Sequence, residues 1–523
     1  MAHSLGLPGS IYLGNGALQV AQLQIQTAGR NVANASTDGA TRQRVVSTED
    51  ITLNIGGGDM SIGVVSLGLT SLRSSYLDTQ VQNENSNQGY AEQMDAFTGQ
   101  VQDALSEQLS STQLDPTQAT SQNGLIAAAT NLYTAWSSLS SSPTSDNYRD
   151  AVSSATNAFV TTAKTVYNQI ASVKEGVFNE ANTEVATANQ LAGEIASYNV
   201  QIAKAEIGAS TAQGVPINQA NDLRDARQTA IESLSKLVNI TVTPNASRSD
   251  MVDIALADSP SVSLVTGMYG AGASTTSALS VTGSNPATGA TGYAIGNALS
   301  FTATSATNGT ATVAPTGGSL GGLLNVDNNV IGREQTSAAA FSAGGTLLDR
   351  YNTFVNNVVT GINSAQASGF DVNGNPVATP IFTTSATSTT ASTGTFDLNV
   401  NQSFDLNNAA YNNDLFAAAA TTNGQLDGDN ATAIANLQNS AGTLSLYKSV
   451  VTTVGADRSA AATNLSSQNL VSTQVENQRN SVSGISVNDE TVDLLTFQRA
   501  FEASSKFINT LDQMYQTIIN NLS

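Results

Sequence analysis

Cysteine is absent from this 523-residue chain, and histidine occurs once, at His3. Without thiols there is no disulfide framework, thiolate nucleophile, iron–sulfur cluster or Cys-ligated zinc. A single imidazole excludes Ser–His–Asp triads and multi-histidine metal sites. Basic residues are scarce: 19 Lys and Arg face 40 Asp and Glu, a net charge of −21. That sign argues against nucleic acid and against an anionic membrane surface as partners. Charged residues reach only 11%, leaving a Ser-, Thr-, Asn- and Ala-rich texture unusual for a cytosolic enzyme. No apolar run attains the roughly 18 residues of a membrane-spanning helix. The first basic residue is Arg30, and Met1 to Ile11 has no continuous apolar core. The expectation is either retention in the cell or export without a cleaved signal peptide.

What the chain does have is helical period over long distances. Phe159, Ala163, Val166, Ile170, Val173, Val177 and Ala181 recur at steps of four and three. The series continues through Ala188, Leu191, Ile195, Tyr198, Ile202 and Ala205, with Glu184 its one charged intruder. No proline stands between Pro143 and Pro216, so the spacing predicts a helix of about 45–50 residues, roughly 70 Å long. It reads as a coiled-coil rod, with an ordinary bundle helix as the alternative. Shorter seams follow Tyr90, Met94, Phe97, Val101 and Ala104; Leu223, Ala226, Ala230, Leu234 and Leu237; Leu348, Tyr351, Val355, Val358, Ile362 and Ala365; and Tyr447, Val451, Val454, Ala461 and Leu465.

Between Ile240 and Gly332 the only basic residue is Arg248, and Gly, Ser, Thr, Pro and Ala dominate. Short alternating stretches at 252–256, 279–281 and 299–301, punctuated by turns at 283–286 and 315–318, read as a small all-β insertion. A disordered linker is the alternative. Residues 369–428 read as a second, loop-rich β insertion. The predicted fold class is therefore α+β and multidomain: terminal coiled-coil helices and a long helical rod with an inserted all-β domain. The expected division is 1–45 with 480–523 (terminal domain), 46–240 with 330–479 (rod domain) and 241–329 (β domain).

Candidate chemistry is thin. Asp371 to Asn375 faintly resembles a calcium loop, but Pro376 and Phe382 occupy the positions that need Gly and Glu, so an Asn-Gly turn explains it better. Gly56 to Gly58 and Gly317 to Gly322 lack a phosphate-loop lysine and read as flexible loops. Asp222, Arg224, Asp225 and Arg227 read as a helix start with Asn221 or Asp222 as cap and solvated ion pairs. His3 is expected to be inert. No active site, cofactor or metal is predicted.

The two ends carry more. Leu494, Phe497, Phe501, Ser504, Ile508, Leu511, Tyr515, Ile518 and Leu522 form an apolar stripe broken only by serine. Leu18, Ala21, Ile25, Ala28, Val32 and Ala35 form a second stripe of smaller residues. Such stripes pair with each other antiparallel or with other chains, and are the expected assembly interface; two core helices of one domain are the plainer reading.

Several segments then match a known pattern. Residues 31–43 (NVANASTDGATRQ) resemble the amino-terminal signature of bacterial flagellar axial proteins, and Thr41, Arg42 and Gln43 resemble in particular the hook-associated protein 1 family, the first hook–filament junction proteins. Residues 77–82 (LDTQVQ) with Ser86 and Gly89, 220–227 (ANDLRDAR), 318–324 (GSLGGLL), 369–374 (GFDVNG), 483–490 (SGISVNDE) and 497–501 (FQRAF) are similar to later landmarks of that family, in the same order. Gln228 stands in place of the motif's final Asp, Gly39-Ala40 where an aromatic often follows the glycine, and extra residues precede the usual start.

The resemblance implies a structural, non-enzymatic subunit at the hook–filament junction, extracellular on the flagellum after type III export without a cleaved signal. It implies as partners the hook protein, a second junction protein, copies of the chain in a ring, and an export chaperone on the carboxy-terminal region, with no nucleic acid and no membrane. Another axial protein, such as the hook protein, and a secreted Ser/Thr-rich adhesin are the alternatives.

Overall fold

The structure, a computed structural model, describes the chain except residues 1–5, 38, 50–51, 55–58, 62, 106, 108–122, 207–209, 213–214, 218–219, 268–274, 283–298, 306–308, 333–344, 385–397, 423–425, 441–442 and 523. His3, Gly56 to Gly58 and the turn at 283–286 lie outside the described residues.

Helices dominate: α1 (Gly6–Asn34), α2 (Ser75–Leu105), α3 (Gly124–Ser141), α4 (Asp146–Ala205), α5 (Asn221–Leu237), α6 (Gly318–Asn325), α7 (Leu347–Ser368), α8 (Asp429–Asn436), α9 (Leu444–Ser483) and α10 (Val487–Leu522). Between α1 and α2, β1 (Gln43–Glu49) pairs antiparallel with β4 (Val64–Ser71), and β2 (Thr52–Asn54) with β3 (Asp59–Ser61). A further small pair, β5 (Ser210–Ala212) with β6 (Val215–Ile217), links α4 to α5.

The spine is α4, at 60 residues about 90 Å long. It starts at Asp146, ahead of the first seam residue that the periodicity picked out. Most of the seam is buried, while Leu191 and Tyr198 are half-buried and Ala205 is exposed at the end. The helix is not one strand of a two-stranded rod, because its partners change along its length. Near its start Phe159 meets Phe354 and Phe382 edge-on, with ring centroids 6.5 and 6.1 Å away. Farther on it packs against α2, α5 and the β insertion. Glu184 is buried and accepts hydrogen bonds from Ser319 Oγ (2.5 Å) and Gln93 Nε2 (2.9 Å). A carboxylate is tolerated in the seam because α2 and α6 supply donors there.

The β insertion has two antiparallel sheets. β7 (Ile240–Pro244), β8 (Val252–Leu256), β9 (Ser259–Thr266) and β10 (Thr275–Thr276) run in the order β10-β9-β8-β7. The other sheet holds β11 (Ala278–Thr282), β12 (Ser300–Ser305) and β13 (Gly309–Val313), with β12 central. Two asparagines clamp these sheets to α4. Asn189 exchanges two 2.8 Å hydrogen bonds with the Leu279 backbone, and Asn199 exchanges bonds of 2.8 and 3.2 Å with Val252. Ile254, Val265, Leu279 and Phe301 are buried in the same continuous core as the helices.

The strands end at Val313, short of the expected limit at 329. Gly317 to Gly322 is no flexible loop, since Gly318 opens α6, which runs into a π-helical turn at Val326–Ile331. Glycines are needed for close packing: a Cβ on Gly322 would sit 2.8 Å from the Tyr90 carbonyl oxygen on α2. Among its described residues the 369–428 segment holds one short pair, β14 (Phe382–Thr384) with β15 (Leu398–Val400), two isolated bridges at Phe370, two short 3-10 turns and otherwise irregular turns. Arg149 holds it in place, donating to the carbonyls of Asn413 (3.0 Å), Phe416 (3.1 Å) and, across the α3–α4 turn, Pro143. At Asp371 to Asn375 the Asp371 carboxylate accepts the Asn373 and Asn375 backbone N–H groups, and Gly374 takes φ 81°. That is a side-chain-closed turn, and no metal-holding cluster occurs among the described residues.

Candidate assembly interface

Asn31 on α1 donates to Glu490 on α10 at 3.0 Å, while Gly14 lies against Ile508. The two terminal helices therefore run antiparallel, and their small residues set the separation. A Cβ on Gly14 would come within 2.8 Å of Ile508 Cγ1. Ala21 and Ala28 are buried; Leu18, Ile25 and Val32 are half-buried. From α10, Leu511 is buried and Leu494, Phe497, Phe501 and Ile508 are half-buried. Tyr515 (48%) and Ile518 (43%) stay largely exposed.

Apolar surface outside the seam is left over on α10. Val487, Val492, Leu495, Phe507, Met514 and Ile519 of α10 are also exposed. The single stripe read from the sequence does not include these positions. The signal was available: α10 carries apolar residues on a second face, which in a helix of this length points to a second contact. Val20 and Thr27 of α1 were missed too, and both are buried.

A polar knot ties this pair to the rest of the chain. Arg42 Nε donates to Glu490 at 2.6 Å and its Nη2 to Asp493 at 2.9 Å, while its backbone N–H reaches the Ser483 carbonyl at 3.0 Å. Thr41 donates to Asp225 from its N–H (3.0 Å) and hydroxyl (2.9 Å). Gln43 Nε2 donates to Asp222 at 3.0 Å, and Gln43 also exchanges backbone hydrogen bonds with the Asn31 amide. Arg73 pairs with Asp78 and Asp225 at 3.4 and 3.3 Å. Arg224 grips Glu206 through two 2.7 Å hydrogen bonds.

The reading of residues 222–227 as solvated ion pairs is thus corrected. Only Asp222 is exposed, and the helix cap is Ala220, with Asn221 as the first helical residue. The partners come from the α1–β1 loop (Thr41), β1 (Gln43), the turn before α2 (Arg73) and the end of α4 (Asn199 and Glu206), which local sequence does not reveal. Burial raises the Asp225 and Asp78 carboxyls, with Arg73 opposing in both. Burial also brings Arg227 down to about 9. Burial works against the Arg42 charge too, but Glu490, Asp493 and Asp489 outweigh it and raise that group. A polar cleft of about 670 Å³ beside it, between residues 35–42 and 480–489, marks where the helix pair meets the body.

The family profile described as the flagellar hook-associated protein FlgK helical domain matches residues 111–382, more than half of the chain. The chain belongs to the FlgK family of flagellar hook-associated proteins. A second profile, the carboxy-terminal domain of flagellar basal-body rod FlgEFG proteins, matches residues 476–522 and so covers α10. The flagellar hook-associated protein 1 of Bacillus subtilis (strain 168) is 28% identical over 239 residues, covering 44% of this FlgK-family chain and 43% of that relative's length. The solved structure of the flagellar hook junction protein FlgK from Burkholderia pseudomallei aligns with a TM-score of 0.56 at 14% identity. It covers 77% of this chain and all of that one, and that likeness supports the α+β, predominantly helical fold.

Proposed function

We propose that this FlgK-family chain is a non-enzymatic structural subunit that joins hook to filament, polymerising through its terminal helices. The observation that carries the reading is the stripe on α10 left exposed after α1 and α10 have paired. Large apolar side chains such as Phe507, Tyr515, Ile518 and Ile519 contribute most when a neighbour buries them, roughly 1.5–3 kcal/mol each. Copies of the chain in a ring, the hook protein and a second junction protein are the partners this reading names. An export chaperone covers the carboxy-terminal region until assembly. Residues 1–45 with 480–523 form the assembling domain, 46–240 with 330–479 the rod, and the strands from 241 to Val313 the outward β insertion, with α6 and the π-helical turn to Ile331 packed into the rod. The chain acts outside the cell and has no catalytic role.

Ile518→Asp tests it. In the free chain Ile518 faces water, so circular dichroism and melting stay as in the parent. In assembly the carboxylate enters a desolvated contact, so a strain carrying it builds hooks, sheds filament subunits into the medium and does not swim. Normal swimming by that strain overturns the proposal.

A further inference from the structure

The three-stranded sheet has one protected edge and one open edge. At β11 the Leu279 backbone is covered by Asn189 of α4. At the opposite edge, β13 bonds β12 from Phe301↔Val313 to Ser305↔Gly309, and no strand among the described residues lies beyond it. Gly309, Thr310, Ala311 and Thr312 are all exposed. Edge strands are commonly blunted by shortness, a covering segment, a Lys, a Pro, a bulge or an inward charge; the five residues of β13 carry no Lys, Pro, bulge or charge.

Charge says what fits there. The chain carries −21, so two copies repel wherever their acidic surfaces face each other. Between Asp258 and Asp327, however, there is no Asp, Glu, Lys or Arg. The β13 strand itself carries no charge, and the Asp258 carboxylate near its end is engaged by the Thr316 N–H and hydroxyl, so a second copy approaches this edge at lower Coulomb cost than an acidic face. The outer face of its sheet is a ladder of mutually paired hydroxyls: Ser280 with Thr302 (2.7 Å), Thr282 with Ser300 (2.8 Å) and Thr304 with Thr310 (3.0 Å). The strand is also self-complementary. An antiparallel pair centred on Ala311 sets Thr310 opposite Thr312, continuing the ladder across the join.

We propose that two copies of this chain pair their β13 strands antiparallel about Ala311, merging two three-stranded sheets into one of six strands. The contact is separate from the α10 stripe. A twofold contact joins chains that face opposite ways, whereas neighbours around a ring face the same way, so it belongs to free chains before assembly. One strand pair buries little area, and the association is weak and transient.

The absence of cysteine makes the test clean. In full-length Ala311→Cys, any intermolecular disulfide lies at position 311. In a glutathione redox buffer it should form at least about tenfold faster than in Ser197→Cys, an exposed site on α4, because pairing raises the local thiol concentration. Adding Thr312→Lys should return the rate to the Ser197→Cys level, and adding Ile518→Asp should leave it unchanged. Equal rates for the two cysteine sites, no response to Thr312→Lys, or a fall with Ile518→Asp would each overturn the proposal, the last by moving the contact to the terminal helices. Sedimentation equilibrium of the cysteine-free parent reads the same contact without substitution at Ala311. A dimer fraction removed by Thr312→Lys supports it, and a strictly monomeric parent at high concentration refutes it.

Discussion

Replacing Glu184 by glutamine should stabilise the helical body at neutral and alkaline pH. Burial raises this carboxyl from its ordinary 4.5 to about 7; Glu180 and Glu92 push the same way, and the bonds from Ser319 and Gln93 push back. A shift of that size corresponds to about 3 kcal/mol, at about 1.4 kcal/mol per pH unit. The folded state holds the proton more tightly than the unfolded chain, so stability is lowest above pH 7 and rises as pH falls from 7 towards 4.5. Glutamine mimics the protonated form: it accepts from Gln93 and donates to Ser319, whose hydroxyl turns to the Leu237 carbonyl, 3.4 Å away. Urea titrations followed by circular dichroism at steps from pH 5 to 8.5 should show parent and variant converging at pH 5. By pH 8 the variant should lead by about 2–3 kcal/mol. With one histidine in the whole chain, few other groups titrate in that window. A constant difference across the range, or a less stable variant at pH 8, would refute the assignment of a buried, partly protonated Glu184.

Ile170→Pro, in the middle of α4, should cost about 3 kcal/mol or more through the lost backbone bond and the ring clash. It should lower helical ellipticity, and unchanged ellipticity would mean that α4 is not continuous there. Arg42→Ala leaves Glu490, 2% exposed, without its guanidinium at a cost of about 2–3 kcal/mol. Proteolysis around Gly484 should accelerate while the melting of the body barely moves; an unchanged cleavage rate would show that Arg42 does not hold the helix pair in place.

The long helices were legible because their cores are repetitive. In α4 and α7, Phe159, Ile170, Val177, Tyr351 and Ile362 recur at a spacing that one face of a helix demands, and all are buried. α6 was hidden because Gly318, Gly321 and Gly322 have poor helix propensity. Propensity is overruled where α2 approaches too closely for a Cβ. Strands β1 and β4 gave no clean alternation, since half-buried positions occur on both faces of β4. The polar knot was readable only as motifs. Residues 31–43, 220–227 and 483–490 stood out separately, but the bonds joining Thr41 to Asp225 and Arg42 to Glu490 span 184 and 448 positions. No local window contains both ends of such a pair. The second apolar face of α10 is written in the same helical period, at Val492, Leu495 and Met514.

Asn31 and Glu490 touch although 459 positions separate them. The surface that α1 and α10 make together therefore exists only once nearly the whole polypeptide has emerged, whether from a ribosome or from a narrow conduit. A chain stopped anywhere before Val487 displays α1 with no mate and cannot pass for a finished subunit. Closing so large a loop is also slow relative to local helix formation. On the proposed reading the arrangement acts as a full-length check, with competence to join the structure arriving only after α10 has been made.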